Sequence, residues 1–438
     1  MCIFVPVQRD INMKEYYREL ISDFFERDLT DIKYRDLLLP EEPGRIITII
    51  GARRVGKTYL LFQHIQKLRK KIDITKLLYI NFENDKLFPF SLDKAQQIIE
   101  TYYEMYPLHK SEKVYFFFDE IQNIPEWNLF IRRLYDTENC YLFLTGSSSQ
   151  LLSKEIATSL RGRTITFELF ALSFREFIQW RGIEVTKNIS SAKKAEIINA
   201  FHQYTTSSAL PELIIEKDIS LHHAILHEYI NMVVYKDLIE RHGLTQHTLI
   251  KHFIKFLAVN ISNFVSINKL FNDFKSQGLQ LSKNSLYDFL TYLEDSYIFY
   301  NTSVYSLSLR EQQRNPKKIY AVDIGLKLLM DFQVDKGRIL ENIIFLELRR
   351  KYSEIFYLKG SQEVDFFVKS AESKQLINVA LNISEKKTYD REVNGLLEAM
   401  DYYNISIGTL IVEEGKANSI LKNNVQIDII PAWQWLLK

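Results

Sequence analysis

The chain has 438 residues, 46% hydrophobic and 25% charged, a globular composition long enough for two or three domains. Its 56 basic and 55 acidic residues leave a net charge of +1, so any nucleic-acid surface is local rather than chain-wide. Two cysteines, Cys2 and Cys140, exclude a disulfide framework or a cysteine-based metal site, and no apolar run or leader pattern points to a membrane, so a cytoplasmic protein is expected.

Residues 1–43 are expected to form an N-terminal segment, helical over 12–40 with Leu20, Ile21, Phe24 and Phe25 on one side. The turn cluster Pro40-Glu41-Glu42-Pro43-Gly44 ends it. The β-branched run Ile46–Ile50 then predicts a buried strand leading into Gly51-Ala52-Arg53-Arg54-Val55-Gly56-Lys57-Thr58, with a helix from Tyr59. This is a phosphate-binding loop in its strand-before, helix-after context. Its glycines let successive N–H groups curl toward phosphate oxygens, and the helix dipole faces the same anion. Lys57 can reach the β- and γ-phosphates and the Thr58 hydroxyl can ligate Mg²⁺, so ATP and Mg²⁺ are the expected ligands.

The unbroken apolar run Val114–Phe118 predicts a second buried parallel strand, ending in Asp119-Glu120. Open α/β sheets bind ligands at the C-terminal ends of their strands, which places Asp119 for the metal and Glu120 for the attacking water. A third strand, Tyr141–Leu144, runs into Thr145-Gly146-Ser147-Ser148-Ser149. Thr145 and Ser147 are equal candidates for a hydroxyl that senses the γ-phosphate. Arg161 and Arg163, around Gly162, are candidates for a cation on the transferring phosphoryl group, in cis or from a neighbouring subunit in a homo-oligomer. Residues 44–215 are assigned to this nucleotide domain.

Residues 216–325 are expected to form a helical linker and a winged helix-turn-helix. A short helix follows Ser266, and a second runs from Ser282 with Leu286, Leu290 and Leu293 on one face. That leaves Lys283, Asn284 and Tyr287 exposed at its N-terminal turn, where recognition helices meet DNA. Two strand-like runs, Tyr297–Ser306 and Lys318–Val322, are joined by a link carrying Arg310, Arg314, Lys317 and Lys318, a basic wing suited to phosphates. In residues 326–438 a helix from Gly337 carries Glu341, and strands follow at 355–358, 363–368 and 376–381. Glu341 and Asp365 could belong to a metal-dependent nuclease site. The third strand, however, offers Asn378 and Ala380 where an acid and a lysine are needed, so the site reads as degenerate.

Taken in order, Gly51–Thr58, Phe116–Gln122, Leu144–Ser149, Leu160–Thr164, Leu172–Phe177, Lys318–Gly325 and Glu363–Phe367 resemble a family of archaeal and bacterial AAA-superfamily ATPases over nearly the whole chain. Those proteins join a P-loop module, a winged helix and a C-terminal domain of unknown function related to restriction-endonuclease folds. The resemblance implies an α/β fold with an AAA-type parallel sheet, followed by the winged helix and an αβ endonuclease-like domain. It also implies Asp119 and Glu120 as metal and water residues, Ser147 near the sensor position, and Arg163 in the family's Gly-Arg element. Ala171 stands where a proline is usual, and Asn378 and Ala380 replace the nuclease signature. The functional expectation is an Mg²⁺-dependent ATPase coupled to DNA. A nucleotide-gated assembly protein and a nuclease with a rearranged site are the alternatives.

Overall fold

The computed structural model describes residues 6–147, 160, 162–186, 189–279, 281–331, 333–370, 373–422 and 424–438, with side chains from residue 13 onward. Two compact units emerge, Met1–Leu169 and Phe170–Lys438.

The first unit is built on a parallel five-stranded sheet of order β2-β3-β4-β1-β5. Its strands are β1 (Ile46–Ile50), β2 (Leu77–Asn81), β3 (Val114–Asp119), β4 (Cys140–Thr145) and β5 (Thr164–Glu168). Parallel neighbours need crossover connections, and three of these contain α2 (Lys57–Leu68), α3 (Leu92–Met105) and α4 (Trp127–Thr137). The period-two alternation of β3 splits its aromatics between two faces. Phe117 stacks on Phe143 at 4.8 Å beneath His64 of α2, whereas Phe116 and Phe118 meet Tyr102 of α3 and Phe130 of α4. A sheet covered on both faces explains why β1 and β3 are buried at every position. Each large apolar side chain among them contributes about 1.5–3 kcal/mol of burial.

The N-terminal helix α1 (Pro6–Glu26) stops earlier than the sequence suggests. Asp28 accepts from both the backbone and the hydroxyl of Thr30, a local turn that competes with continued helix. The chain then runs irregularly along α2, where Arg35 and Gln63 exchange backbone–side-chain hydrogen bonds.

The second unit begins with α5 (Phe174–Trp180), closed by a capping box between Ser173 and Glu176, and α6 (Ser191–Tyr204). Residues 170–215, read from sequence as part of the nucleotide domain, are tied into this unit. Tyr204 donates to the Leu172 carbonyl, Arg350 to the Ala171 carbonyl, and the Ala209 N–H to Asp323. Helix α7 (His222–Met232) continues into a π-helical stretch, Val233–Glu240.

After α8 (His247–Val259) come β6 (Asn263–Val265), α9 (Ile267–Ser276), α10 (Lys283–Asp295), β7 (Phe299–Thr302), α11 (Leu309–Arg314) and β8 (Lys317–Ala321). The three strands pair antiparallel in the order β6-β8-β7. The β7–β8 link, read from sequence as a basic wing, contains a short helix, with Ser308 accepting from the Glu311 N–H.

The C-terminal part carries α12 (Lys336–Lys351), β9 (Ile355–Lys359), β10 (Glu363–Lys369), β11 (Lys374–Ala380), α13 (Lys386–Tyr403), β12 (Ile407–Val412), β13 (Asn418–Lys422) and β14 (Val425–Pro431). These strands form a six-stranded sheet of order β13-β14-β12-β11-β10-β9. β9, β10 and β11 make an antiparallel meander, and β12 joins β11 in parallel. Leu396 and Met400 of α13 pack on Phe367, Leu376 and Leu410. Among the described residues, no helix is long and apolar enough to cross a membrane.

Candidate functional site

The loop after β1 has the backbone a phosphate cradle needs. Gly51, Arg54 and Gly56 all have positive φ, at 140°, 63° and 96°. Gly51 is also obligatory for space, because a Cβ there would strike the Leu169 carbonyl oxygen. Gly56 precedes α2 without any side-chain cap, which leaves the first helical N–H groups for an incoming anion. Ala52 and Val55 are buried, and Arg35 of the N-terminal segment braces the loop by donating to the Val55 carbonyl at 2.6 Å. Arg53 reaches Glu83 at 3.6 Å, and Tyr59 lies exposed on the first turn of α2.

Lys57 bends back over its own loop, donating to the Gly51 and Ala52 carbonyls at 3.1 and 3.0 Å, with Glu120 Oε1 3.9 Å away. Asp119, at the end of β3, is enclosed by hydroxyls. Its Oδ2 accepts from Thr58 at 2.7 Å and from Tyr79 at 2.8 Å, and its Oδ1 accepts from Thr145. Glu120 takes a left-handed conformation, φ 51°, that turns its carboxylate toward Lys57, and Gln122 donates to it. Burial raises the Asp119 pKa above its ordinary value and the adjacent Glu120 adds to the shift, while the three hydroxyls oppose it. Burial would raise Glu120 too, but Lys57, Gln122, Arg53 and Ser147 together hold it below the usual range.

Thr145 and Ser147, equivalent in the sequence, are separated here. Thr145 donates to Asp119 and accepts from the Glu120 N–H at 2.9 Å, so it fixes the two acids. Ser147 receives the Gln122 amide at 3.4 Å and lies on the Glu120 side. Tyr79, Gln122 and Glu83 were not apparent from sequence; the apolar strand before Asn81 was the available signal for Tyr79.

Arg163 requires a correction as a cation for its own phosphate. Its carbonyl accepts from the N–H of Ile46, the first residue of β1, at 2.8 Å, whereas the phosphate loop begins after the last. Five steps of ~3.3 Å separate Ile46 from Gly51 at the start of the loop, about 16 Å. The guanidinium instead meets Asp136 at 3.3 Å and overlies Tyr135. Arg161 lies outside the described residues.

In the second unit Lys283, Asn284 and Tyr287 are exposed on the first turn of α10, which Ser282 caps through the Ser285 N–H. Arg310 and Arg314 are exposed on α11 and Lys317 is half-buried. Lys318 overturns its assignment to phosphate contact. It is 3% exposed and bonds Glu341 at 2.9 Å, Asp365 at 3.0 Å and Glu363. Strand alternation puts Lys318 and Tyr320 on one face, and the Tyr320 hydroxyl also donates to Glu341 at 2.9 Å. Glu341 and Asp365 thus do converge, around a lysine from β8. Asn378 joins them by accepting from the Asp365 N–H and donating to Glu392 at 2.8 Å.

A family model described as "AAA domain" matches residues 43–178, and one for a domain of unknown function (DUF8612) matches 198–334. An uncharacterised protein of Methanocaldococcus jannaschii, MJ1544, is 34% identical over 98% of this chain and 96% of its own length. The chain belongs to the same family as MJ1544, and its nucleotide module matches the AAA-domain model. An uncharacterised protein of Haemophilus influenzae is 31% identical over 82% of this chain and 87% of its own. Among solved structures, a Walker-type ATPase of Pyrococcus abyssi aligns over 75% of this chain and 96% of its own, at 14% identity and a TM-score of 0.39.

Thr58 and Asp119 present a hydroxyl and a carboxylate 2.7 Å apart at the mouth of the phosphate loop. These are hard oxygen donors suited to Mg²⁺ beside phosphates.

Proposed function

We propose that the protein is an Mg²⁺-dependent ATPase whose nucleotide state governs binding to DNA. The observation that carries the catalytic part is the convergence of Lys57, Thr58, Asp119 and Glu120 at one end of the parallel sheet. Lys57 exchanges the Gly51 and Ala52 carbonyls for phosphate oxygens, and the uncapped start of α2 receives the same anion. Thr58 and Asp119 would hold Mg²⁺, which when bound would neutralise phosphate charge. Glu120, kept ionised by Lys57, accepts a proton from the attacking water while Gln122 and Ser147 orient its carboxylate.

The test is turnover with and without Mg²⁺. Lys57→Ala should lose tight ATP binding, because the lysine acts on ground-state phosphates. Glu120→Gln should bind ATP and lose about 10²-fold or more in rate, because the glutamate acts only during reaction. Glu120→Gln turning over at the parent rate would remove this assignment.

The DNA part rests on the second unit. A helix, a short strand, two helices and an antiparallel pair support a winged helix, with Lys283, Asn284 and Tyr287 exposed where a recognition helix meets base edges. Mobility shifts of duplex, single-stranded and branched DNA, with ATP and with ADP, test this reading. Burial of Lys318 favours a second reading, a nucleotide-gated assembly protein whose β8 is a packing element. The meander of β9–β11 between α12 and α13, followed by parallel β12, supports an endonuclease-like core. With Asn378 on β11 and Lys318 among the carboxylates, no Mg²⁺- or Mn²⁺-dependent nicking is expected.

A further inference from the structure

Asp119 is held from three sides, and only two of the groups that hold it belong to recognisable sequence motifs. Thr58 follows the phosphate loop and Thr145 ends the neighbouring strand β4. The third, Tyr79, comes from β2 on the other flank of β3. Parallel pairing sets Tyr79 beside Phe117 and Asn81 beside Asp119, so the tyrosine ring leans along the strand until its hydroxyl reaches Asp119 Oδ2 at 2.8 Å. The ring itself is fixed independently of that bond. It stacks on Phe24 of α1 at 4.7 Å and lies 5.0 Å from Phe62 of α2, and the residue is buried.

We propose that Tyr79 is a positioning residue for the metal-binding carboxylate, setting the affinity of the Asp119–Thr58 pair for a divalent cation bound with nucleotide. The proposal rests on the ATPase reading of this site. A carboxylate has about four acceptor positions over its two oxygens. Thr145 takes one on Oδ1, and Thr58 and Tyr79 take two on Oδ2, which leaves one for a cation or its water. Donors on both flanks, from β2 and β4, stop the carboxylate from rotating, so the free position keeps one direction. Removing the Tyr79 hydroxyl frees Oδ2 to turn and leaves a buried charge with one donor fewer. A hydrogen bond to a charged group supports a loss of about tenfold or more in affinity.

Tyr79→Phe keeps the aromatic packing on Phe24 and Phe62 and deletes only the hydroxyl. The experiment measures Mn²⁺ binding by electron paramagnetic resonance in the presence of a non-hydrolysable ATP analogue. It is paired with metal-free ATP binding and with the Mg²⁺ dependence of turnover. The expected result is Mn²⁺ affinity about tenfold weaker, metal-free ATP binding unchanged, and most of the turnover recovered at high Mg²⁺. Unchanged Mn²⁺ affinity would overturn the proposal, and so would an equal loss of metal-free ATP binding, which would make the tyrosine a general support of the loop. Parent protein that binds Mn²⁺ with the analogue but never hydrolyses ATP would fail the ATPase reading alone, and the Mn²⁺ comparison would still decide the role of Tyr79.

Discussion

Lys318 of β8 donates to Glu341 of α12 at 2.9 Å, which fastens the last strand of the three-stranded sheet to the first helix of the C-terminal part. With Asp365 and Glu363 also in reach, one buried ammonium serves three carboxylates. Removing one partner from such an arrangement is far more costly than the pair is stabilising, because the other charges stay buried. Lys318→Met should therefore lower the unfolding free energy of this unit by about 3–5 kcal/mol, read as a fall in melting temperature or denaturant midpoint. A loss within ~0.5 kcal/mol would mean that the carboxylates find water or protons easily.

The same cluster sets a pH dependence. Burial, with Asp365 adding to it and Lys318 only partly offsetting it, raises the Glu341 carboxyl from its ordinary 4.5 to about 8. A group that binds its proton more tightly when folded contributes stability that is full below its unfolded pKa and is lost as pH rises through the folded one. Glu341 should thus favour the folded state below about pH 4.5 and lose that contribution as pH climbs to about 8. Glu341→Gln should flatten the fall in midpoint across this window. An equally steep fall in the variant would assign the dependence to other groups.

What the sequence made legible here is contiguous. The phosphate loop, Asp119 and Glu120 lie within short runs whose strand context is visible in the residues themselves, and the structure brings them together. Tyr79 was hidden because its role depends on which strand neighbours β3 and in what register, which a single apolar run does not encode. Lys318 is deceptive for a similar reason. Arg310, Arg314, Lys317 and Lys318 look like one basic link, yet alternation on β8 sends Lys318 inward with Tyr320 while the arginines stay exposed on a helix. The partners of Lys318 lie 23 to 47 residues downstream, beyond any local pattern.

Arg163 lies beside the first residue of β1, at the opposite end of the strand from its own phosphate loop, so any role on phosphate would be at the site of a neighbouring copy. Arg163→Ala should then bind ATP but turn it over about 10³-fold more slowly, and parent activity should rise with protein concentration. Mixing Arg163→Ala with Lys57→Ala should restore turnover, since a mixed interface joins an intact loop to an intact arginine. No rescue, together with concentration-independent activity in the parent, would leave Arg163 as a partner of Asp136 within one chain.

DNA binding should be strongly salt-dependent and should map to exposed and half-buried cations of the second unit, with the buried Lys318 excluded. Each phosphate that is no longer neutralised flattens the salt slope by about 0.9 on B-DNA. Replacing Lys283, Arg310, Arg314 and Lys317 together should therefore reduce the slope by about three to four, while ATP turnover of the free protein stays intact. Asn284→Ala and Tyr287→Ala act at the exposed first turn of α10, so they should weaken binding without a comparable change in slope. Keeping Lys318 in the quadruple variant matters, because its removal would disturb the Glu341 cluster and confuse a missing phosphate partner with a damaged fold. An unchanged slope in a correctly folded quadruple variant would move the DNA surface away from α10 and α11. Failure of the parent to shift any DNA form, with either nucleotide, would leave this module as a packing element between parts of the chain and favour the assembly reading.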